Sequence, residues 1–418
     1  MTKLTVCVSI VSMKERTLGK VVEDLAFGDH KIAFVSGPRQ CGKTTMAKML
    51  LERRNAGRYW NWDEMELRRA WAQNPSAIVP KHIAGKIPLV ILDEIHKERR
   101  WKRSLKGVYD TLEHPCDFIV TGSARLSIYM KGSDSLLGRH YNFRMHPFSM
   151  REMATTDVPT PDRMLDNLFN KAFKTSRTAG GLLDDFMKYG PFPQPLLAQD
   201  ERRARLWRRN REQLVIREDL RDLSRLPELG RIEMMTTLIP ERVSSLFSMA
   251  SLARDLETSI PTIKRWLMYL KDLYYLFEIK PYSRKVARSL LREGKVYLWD
   301  YAEIPDKAAK FENLVALHLF KMCNYWTDTG EGQFDLCFLR DKEKSEVDFL
   351  VTRDGYPWLP VEVKYSDMVP SKSFEKFLPM IGCRKALQLV HQPAWKIHEY
   401  SGGNILVAGA GEALSHMI

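Results

Sequence analysis

The stretch Gly37-Pro38-Arg39-Gln40-Cys41-Gly42-Lys43-Thr44 decides the fold of this chain. It follows an apolar run at residues 32–35 and precedes a helical pattern at residues 46–51. In this spacing the glycines let backbone N–H groups face phosphate oxygens, and the N-terminus of the next helix adds its positive dipole. Lys43 is predicted to reach the β- and γ-phosphates of ATP, and the Thr44 hydroxyl is predicted to hold Mg²⁺. The strand before and the helix after favour this interpretation over a glycine-rich turn without nucleotide.

Length and composition set the outer limits of the interpretation. The chain has 418 residues, which predicts about two or three domains, and its formal charge of +13 favours polyanionic partners or a solvated basic surface. Six scattered cysteines without a C-x-x-C pair predict a reducing, cytoplasmic setting and no zinc knuckle. No apolar run reaches membrane-spanning length, so we expect no membrane partner. Residues 4–11 are apolar but lack a small-residue cleavage site, which predicts a short strand or an extension.

The second element of a nucleotide site follows the apolar residues 87–92. This run ends in Asp93 and Glu94. Beside a phosphate loop, such an acidic pair suits ATP hydrolysis, with Asp93 in the Mg²⁺ shell and Glu94 polarising the attacking water. The other interpretation is a polar strand end without a catalytic role.

Two further residues are candidates for catalysis. A strand predicted at residues 117–120 leads to Ser123, which can sense the γ-phosphate or orient water, because polar groups at the carboxyl end of a parallel strand face the ligand crevice. Arg139 precedes a strand-like stretch at residues 141–145, and it either supplies charge to a neighbouring subunit's nucleotide or is a surface arginine in a turn. The predicted nucleotide-binding residues are Gly37, Pro38, Arg39, Gln40, Cys41, Gly42, Lys43, Thr44, Thr45 and Asp93.

These motifs together resemble a widespread family of predicted prokaryotic AAA+ ATPases. The resemblance rests on the phosphate loop, on Leu-Asp-Glu-Ile-His-Lys at 92–97, Phe-Ile-Val-Thr-Gly-Ser-Ala at 118–124, Leu-Gly-Arg at 137–139 and Pro-Phe-Ser-Met-Arg-Glu at 147–152. It covers nearly the whole chain and implies an ATPase core followed by a winged helix and a nuclease-like domain. Cys41 stands where the family more often has an aliphatic residue, at a position that contributes backbone.

The middle of the chain begins with a predicted helical lid. A proline- and threonine-rich break at residues 153–161 marks the boundary with the ATPase core. The helix predicted at residues 201–213 carries six arginines. These arginines either follow a phosphate backbone or form a solvated face that is paired to acids elsewhere.

A predicted winged helix follows the lid. Three helices between residues 231 and 277, with Ser248 and Ser259 as caps, precede a strand at residues 296–299. In a groove-reading version, the side chains facing DNA would be those of Thr262, Lys264 and Arg265. The alternative is a winged helix that only packs against neighbouring subunits.

The third domain carries its own polar set. Strands predicted at residues 346–351 and 360–364 form a hairpin that brings together Asp348, Glu362 and Lys364, and Glu312 lies near the start of a preceding helix. Carboxylates for a hard cation (Mg²⁺ or Mn²⁺) and a lysine that positions or deprotonates water suit phosphodiester cleavage. The D…ExK pattern resembles the PD-(D/E)XK nuclease fold. The alternatives are a structural hairpin with a salt bridge, or a nuclease fold kept for binding alone. The predicted metal ligands are Thr44, Asp93, Glu312, Asp348 and Glu362, and the predicted catalytic residues are Glu94, Arg139, Ser123, Asp348, Glu362 and Lys364.

The predicted fold class is α/β, with a P-loop AAA+ parallel sheet core, a helical lid, a winged helix and a C-terminal PD-(D/E)XK nuclease-like domain. We place these parts at residues 1–155, 156–230, 231–300 and 301–418. The predicted function is ATP-driven handling of duplex or branched DNA by a homo-oligomer, with a hexamer as one form, and metal-dependent cleavage by the third domain. The alternative is a nucleotide-dependent switch that recognises a partner and uses the third domain as a scaffold.

Overall fold

A computed structural model describes residues 14–81, 85–122, 136–170, 177–220, 228–283, 293–400 and 402–418. The apolar residues 4–11 and the predicted catalytic Ser123 lie outside these ranges.

The first part of the chain forms a parallel sheet flanked by helices. Its strands are β1 (Ile32–Ser36), β2 (Gly57–Asn61), β3 (Leu89–Asp93), β4 (Asp117–Gly122) and β5 (His140–Arg144), in the order β2-β3-β4-β1-β5. The helices are α1 (Thr17–Val21), which continues as a π-helical turn at Val22–Phe27, α2 (Lys43–Arg54), α3 (Met65–Gln73) and α4 (Trp101–Asp110), with 3₁₀ turns at Pro75–Ile78 and Ile95–Lys97. Parallel strands covered on both faces are apolar along most of their length, and β3 and β4 are buried throughout. The strands predicted on either side of the phosphate loop are confirmed.

The strand order puts the phosphate loop and the acidic pair at one edge of this sheet. The chain leaves β1 for β2, returns through β3 and β4 to the neighbour of β1, and then crosses to β5. The phosphate loop follows β1 and Asp93 ends β3, so both lie at the carboxyl ends of the strands. Ligands of open α/β sheets bind at such an edge, where the strand order reverses.

The middle of the chain is helical. Its helices are α5 (Met150–Ala154), α6 (Pro161–Phe169), α7 (Arg177–Tyr189), α8 (Pro193–Ala198), α9 (Glu201–Gln213) with a π-helical turn at Leu214–Asp219, α10 (Leu229–Leu238) with a 3₁₀ turn at Pro240–Arg242, α11 (Met249–Asp255) and α12 (Ile260–Asp272). The side chains of Ser248 and Ser259 accept hydrogen bonds from Ser251 N and Thr262 N, which confirms both predicted caps. Helix α10 ends at Leu238, because Pro240 has no N–H group to donate the next helical hydrogen bond.

A second, mixed sheet forms the rest of the molecule. Its strands are β6 (Leu276–Pro281), β7 (Lys295–Leu298), β8 (Phe334–Arg340), β9 (Glu346–Arg353), β10 (Tyr356–Lys364), β11 (Lys385–Val390), β12 (Trp395–Tyr400) and β13 (Gly403–Gly409), in the order β12-β13-β11-β10-β9-β8-β6-β7. The helices are α13 (Lys307–Asp328), α14 (Lys372–Ile381) and α15 (Ala410–His416). The predicted hairpin of β9 and β10 is confirmed, with Asp354 and Gly355 at φ +54° and +82° in its turn, as a type I′ turn requires.

The one strand predicted for the wing, at residues 296–299, corresponds to β7 and lies in this second sheet, and β6 was not predicted. Strand β6 pairs with β7 on one side and, through Lys280 and Pro281, with β8 on the other. The wing is therefore continuous with the C-terminal sheet, and this continuity was not predicted.

Helix α13 joins the two sheets. It packs against β5 of the first sheet and against β7, β8 and β10 of the second, and one hydrophobic core runs through all of them. None of the helices in the described ranges is long and apolar enough to cross a lipid bilayer. The cysteines in these ranges are free thiols.

Candidate functional site

The phosphate loop is shaped by residues with positive φ. The φ angles of Gly37, Gln40 and Gly42 are +155°, +63° and +102°. A Cβ atom on Gly37 would lie 2.2 Å from the carbonyl oxygen of Met145, so only glycine fits there. Helix α2 begins at Lys43, directly after the loop, so its unpaired N–H groups are available for an anion.

The side chains predicted to hold ATP and Mg²⁺ come together at this edge. Lys43 Nζ donates to the carbonyl oxygens of Gly37 (2.8 Å) and Pro38 (2.7 Å). Thr44 Oγ1 donates to Asp93 Oδ2 at 2.8 Å, although the two residues belong to different elements. A hydroxyl and a buried carboxylate at this distance fit Mg²⁺, which takes oxygen ligands from one or two carboxylates and from substrate phosphates.

Two residues that sequence reasoning missed hold Asp93 in place. Tyr59 donates its hydroxyl to Asp93 Oδ2 at 2.9 Å, and the Thr121 hydroxyl donates to Asp93 Oδ1. Burial and the Asp93 charge raise the pKa of Tyr59, which keeps this hydroxyl protonated. Thr121 was open to prediction, because it is a polar residue near the end of an apolar strand that neighbours β3.

Glu94 has the surroundings of a general base. It adopts left-handed backbone angles (φ +58°), and its N–H donates to Thr121 O at 3.0 Å. Burial, and then the Asp93 charge, raise the pKa of Glu94, while the Lys97 and Lys43 charges lower it. A carboxylate whose pKa lies closer to neutrality takes a proton from water more effectively.

The other predicted loop residues surround this set. The Arg39 charge acts on Glu94, Gln40 and Thr45 are exposed, and Cys41 is buried with its Sγ 3.6 Å from Met145 O. Cys41 also offers its carbonyl oxygen to Arg16, which donates from Nη1 at 2.6 Å.

Arg139 lies away from the nucleotide residues of its own chain. Its carbonyl oxygen accepts a hydrogen bond from Ile32 N, so it sits at the amino end of β1 and β5, about 16 Å from the loop at 3.3 Å per residue. Its guanidinium forms a bidentate pair with Asp110, with contacts of 2.6 Å from Nε and 3.0 Å from Nη2. Any contact of Arg139 with a nucleotide would have to involve another subunit.

A buried charge cluster links the phosphate loop to helix α13. Glu152 accepts hydrogen bonds from Arg16 Nε (3.0 Å), Arg16 Nη2 (3.1 Å), Thr17 Oγ1 (3.0 Å) and the Lys321 ammonium. Although burial disfavours the ionised form, the Arg16 and Lys321 charges hold the pKa of Glu152 far below its ordinary value. Arg16 also donates to the Cys41 carbonyl oxygen. Its guanidinium therefore connects the phosphate loop to Glu152, which in turn contacts Lys321 on α13. Sequence reasoning missed this cluster.

The predicted residues of the third domain also meet. Val363 N donates to Asp348 Oδ2 at 2.9 Å, Asp348 N donates to Glu362 Oε2 at 3.3 Å, and Lys364 Nζ lies 2.8 Å from Glu362 Oε1. Glu312 on α13 faces them, since Glu312 Oε1 and Asp348 Oδ1 lie 3.3 Å and 3.7 Å from the same Lys295 Nζ.

Three further residues complete this acidic site, and sequence reasoning missed all of them. Lys295 Nζ lies 2.6 Å from Glu346 Oε1 and 3.3 Å from Glu312 Oε1, and Tyr297 donates its hydroxyl to Glu312 Oε1 at 2.7 Å. One signal in the sequence could have indicated Lys295. It precedes the apolar residues 296–299, and no acidic residue nearby in the sequence is an evident partner for its charge.

An ammonium group already lies where a divalent ion would contact the carboxylates of this acidic site. Burial, and then the Asp348 charge, raise the pKa of Glu312 to about 8 and that of Glu362 to about 7. Although burial opposes it, the carboxylates of Glu312, Asp348 and Glu346 raise the pKa of Lys295, so its ammonium stays charged. In the part of the chain that the structure describes, no group of three or more His, Cys, Asp or Glu side chains is arranged to hold a metal ion. The residues present therefore do not fit the metal predicted here.

The arginine-rich helix α9 divides its charges between interior and surface. Arg208 lies 3.4 Å from Asp300 and donates to Tyr189 O, and Arg211 is buried with its guanidinium 4.1 Å from the centre of the Phe192 ring. The exposed arginines are Arg202, Arg203, Arg205 and Arg209. On α12, Lys264 and Arg265 are exposed, whereas Thr262 is half-buried and hydrogen bonded to its cap, Ser259.

Comparison with known families agrees with the geometry of the nucleotide site. Residues 29–154 match the sequence model of a family described as an AAA domain. The nucleotide site lies within the residues that match this AAA model. This domain supports ATPase activity, and its parallel sheet agrees with a P-loop AAA+ fold. Residues 181–302 and 307–407 match two domains of unknown function, DUF8612 and DUF4143.

Relatives match most of this chain at low identity. An uncharacterised protein of Mycobacterium tuberculosis is 22% identical over 334 residues, which is 78% of this chain and 69% of the relative. An uncharacterised protein of Methanocaldococcus jannaschii is 24% identical over 336 residues, 70% of this chain and 68% of the relative.

Solved structures give a weaker likeness. The Orc1 protein of Aeropyrum pernix in complex with DNA has a TM-score of 0.31 at 13% identity and covers 72% of this chain and 90% of its own. AMPPCP-bound DnaA from Aquifex aeolicus has a TM-score of 0.26 at 12% identity and covers 61% of this chain and 86% of its own. At these scores the function has to be argued from the residues of this chain.

Proposed function

We propose that this chain is an ATP-hydrolysing AAA protein that binds DNA and couples its nucleotide cycle to the rest of the molecule. The observation that carries the ATPase part is the contact of Thr44 Oγ1 with Asp93 Oδ2, with Glu94 directly beside it. This arrangement puts a metal-binding hydroxyl, a carboxylate and a base at the end of one sheet.

Each residue of the nucleotide site has a role in this proposal. The backbone N–H groups of the loop and Lys43 bind the phosphates, and Thr44 and Asp93 would hold Mg²⁺. When bound, Mg²⁺ neutralises the charge that develops on the phosphate oxygens. Glu94 orients a water molecule and takes its proton, and Arg139 of a second subunit supplies positive charge in a homo-oligomer.

The proposal that DNA is the partner rests on charge. The chain carries a formal charge of +13, and four arginines of α9 (Arg202, Arg203, Arg205 and Arg209) are exposed at neighbouring positions. Arginine and lysine side chains that neutralise phosphates release counterions, which makes binding dependent on salt. Lys264 and Arg265 on α12 offer a second candidate contact.

The buried charge cluster supports coupling between nucleotide and the other domains. Arg16 contacts the loop at Cys41 and the carboxylate of Glu152, and Glu152 in turn contacts Lys321 on α13. A shift of the loop on ATP binding would move this guanidinium, and a buried charge cannot lose its partner without a large cost.

The DNA part is tested by anisotropy of a labelled duplex at several salt concentrations. Replacing the four exposed α9 arginines with Gln is expected to lower affinity at least about tenfold and to reduce the salt slope by up to about 0.9 per arginine. The control replaces four exposed basic residues of the ATPase part, namely Lys20, Arg69, Lys81 and Lys86. Equal effects of the two sets would rule out α9 as the DNA contact.

Metal-dependent cleavage of DNA by the third domain is the competing hypothesis, and it requires the acidic site to take up a divalent ion that its present contacts do not fit. The observation that favours it is the grouping of Asp348, Glu362 and Lys364. The test incubates labelled duplex and four-way DNA with Mg²⁺ or Mn²⁺, beside Asp348→Asn and the exposed control Asp335→Asn. Cleavage that is lost only in Asp348→Asn would establish it, and no cleavage by the wild type would favour a scaffold.

A further inference from the structure

Lys295 lies in the middle of the C-terminal acidic site, which comprises Glu312, Glu346, Asp348 and Glu362. Its Nζ is 2.6 Å from Glu346, 3.3 Å from Glu312 and 3.7 Å from Asp348, and its side chain is only 3% exposed. We propose that Lys295 is the built-in cation of this site and that the site, as folded, excludes divalent metal ions. This inference goes beyond the proposed ATPase function and does not depend on it.

The surroundings of the ammonium group hold it at one place. A buried charge is stable only when opposite charges and hydrogen-bond acceptors surround it. Glu346 and Asp348 of β9 and Glu312 of α13 provide these acceptors, and the centre of the Phe338 ring lies 5.7 Å away. The lysine therefore bridges two elements of the third domain from inside the site.

A metal ion bound by these carboxylates would compete with the ammonium. Hard divalent ions sit about 2.0–2.6 Å from their oxygen ligands. An ion that joined Glu312 and Asp348 would thus lie against the lysine Nζ, which contacts the same two side chains. Two cations in contact repel each other strongly in a buried site, where water does not screen them. The Lys295 ammonium would therefore have to leave the site before the ion could bind.

Other protein groups also donate to oxygens of this site. Tyr297 donates to Glu312 Oε1 at 2.7 Å, Val363 N donates to Asp348 Oδ2 at 2.9 Å, and Lys364 Nζ lies 2.8 Å from Glu362 Oε1. An entering ion would have to displace these donors as well. The carboxylates act as acceptors for protein groups rather than as open ligands.

The backbone around Lys295 determines where its ammonium group lies in the site. Lys295 opens β7, the edge strand of the second sheet, and pairs with Ile279 of β6. The preceding Gly294 accepts a hydrogen bond from Phe247 N, and a Cβ atom on it would lie 2.8 Å from Ile279 O. Lys295 of β7 therefore contacts carboxylates on β9 and α13. The site thus links β7 to the C-terminal domain through charged side chains.

The experiment measures Mn²⁺ binding to the full, nucleotide-free chain by the loss of the free-ion EPR signal. The variants are Lys295→Met, Lys295→Arg and Asp348→Asn. The Mn²⁺ isotherm of the wild type is expected to be unchanged in Asp348→Asn, because the site excludes the ion. Lys295→Met is expected to bind Mn²⁺ at least about tenfold more tightly than the wild type, whereas Lys295→Arg keeps the cation and the exclusion.

One result overturns the proposal without the need for a folded Lys295 variant. If the wild type binds Mn²⁺ at a site that Asp348→Asn removes, the acidic site accepts divalent ions and Lys295 is not its resident cation. An unchanged isotherm in Asp348→Asn supports the proposal even when Lys295→Met does not fold. ATP hydrolysis, measured on the same preparations, reports separately on the nucleotide site.

Discussion

At the scale of single residues, Glu94 follows directly after the carboxylate that is hydrogen bonded to Thr44. Its carboxyl group lies 3.9 Å from the Lys97 ammonium, whose charge lowers the pKa of Glu94. As a general base, Glu94 needs a carboxylate oxygen that can accept a proton from water. Replacing it with an amide of the same shape separates the chemical step from nucleotide binding.

We therefore expect Glu94→Gln to bind ATP with little change in affinity and to hydrolyse it about 10²–10⁴-fold more slowly, because a general base contributes that much to the rate. The measurement is single-turnover hydrolysis together with binding of a fluorescent nucleotide. The control is Glu66→Gln, which makes the same charge change on the exposed surface of α3. Hydrolysis at the wild-type rate in Glu94→Gln would remove this residue from the mechanism.

Residues in short, local patterns could be predicted, and residues with distant partners could not. Lys43, Thr44 and Asp93 follow from spacing and from the apolar run before each pattern. Arg16 could not be found, because its carboxylate partner lies 136 positions away and charged residues are ordinarily exposed. Lys295 was missed for the same reason, since its acids lie on α13 and β9.

At the scale of elements, helix α13 carries polar side chains that are buried in the core and contact neighbouring elements. His318 is one of them, and its neutral ring is specified by two contacts. Nδ1 donates to Leu314 O at 2.8 Å, and Nε2 accepts from Met150 N at 3.1 Å. A second proton would remove the acceptor that Met150 N requires.

The pH dependence of stability follows from this histidine. Burial lowers the pKa of His318 to about 4, below its ordinary value of about 6.5, so the unfolded chain binds the proton more readily. The contribution of His318 to the free energy of unfolding is fully present above about pH 6.5. It falls by up to about 3 kcal/mol as the pH drops through 4. Urea titrations at pH 7, 6 and 5 should show a smaller pH slope in His318→Gln than in the wild type.

The exposed histidine His114 provides the control for this titration. His114→Gln is expected to keep the wild-type slope. An identical slope in all three proteins would contradict the assignment of the pH effect to the contact between α13 and α5.

A second element-scale prediction concerns the charge cluster between α1, α5 and α13. Glu152→Gln leaves Arg16 and Lys321 buried without a carboxylate, so we expect a loss of about 3–5 kcal/mol in the free energy of unfolding. Urea denaturation measures it. The exposed Glu241→Gln should be nearly neutral, and a similarly small effect of Glu152→Gln would show that the cluster is not a stabilising link.

Most helices and strands could be predicted from the sequence, but the pairing of the strands could be predicted only in part. Apolar periodicity and turn residues predicted the strands of the first sheet, the Ser248 and Ser259 caps and the hairpin of β9 and β10. The pairing of β6 with β8 joins segments more than fifty positions apart through two residues, Lys280 and Pro281. No local pattern encodes such a contact, and so the wing was expected to stand apart from the C-terminal sheet.

At the scale of the whole molecule, Arg139 lies at the opposite end of the first sheet from its own phosphate loop. If a neighbouring subunit uses it, Arg139→Ala should bind ATP normally and hydrolyse it at least about 10³-fold more slowly. Mixing Arg139→Ala with Lys43→Ala chains should restore part of the rate, because one subunit keeps the loop and the other keeps the arginine. The control is the exposed Arg69→Ala. A mixture without recovery would contradict action between subunits.

DNA as the partner is tested by the rate of ATP hydrolysis of the chain in Mg²⁺, measured with and without duplex and four-way DNA. We expect hydrolysis that Lys43→Ala abolishes and that DNA stimulates, with the stimulation reduced when Arg202, Arg203, Arg205 and Arg209 are replaced. A wild-type rate that is the same with and without either DNA would contradict DNA as the partner and favour a switch that recognises another molecule.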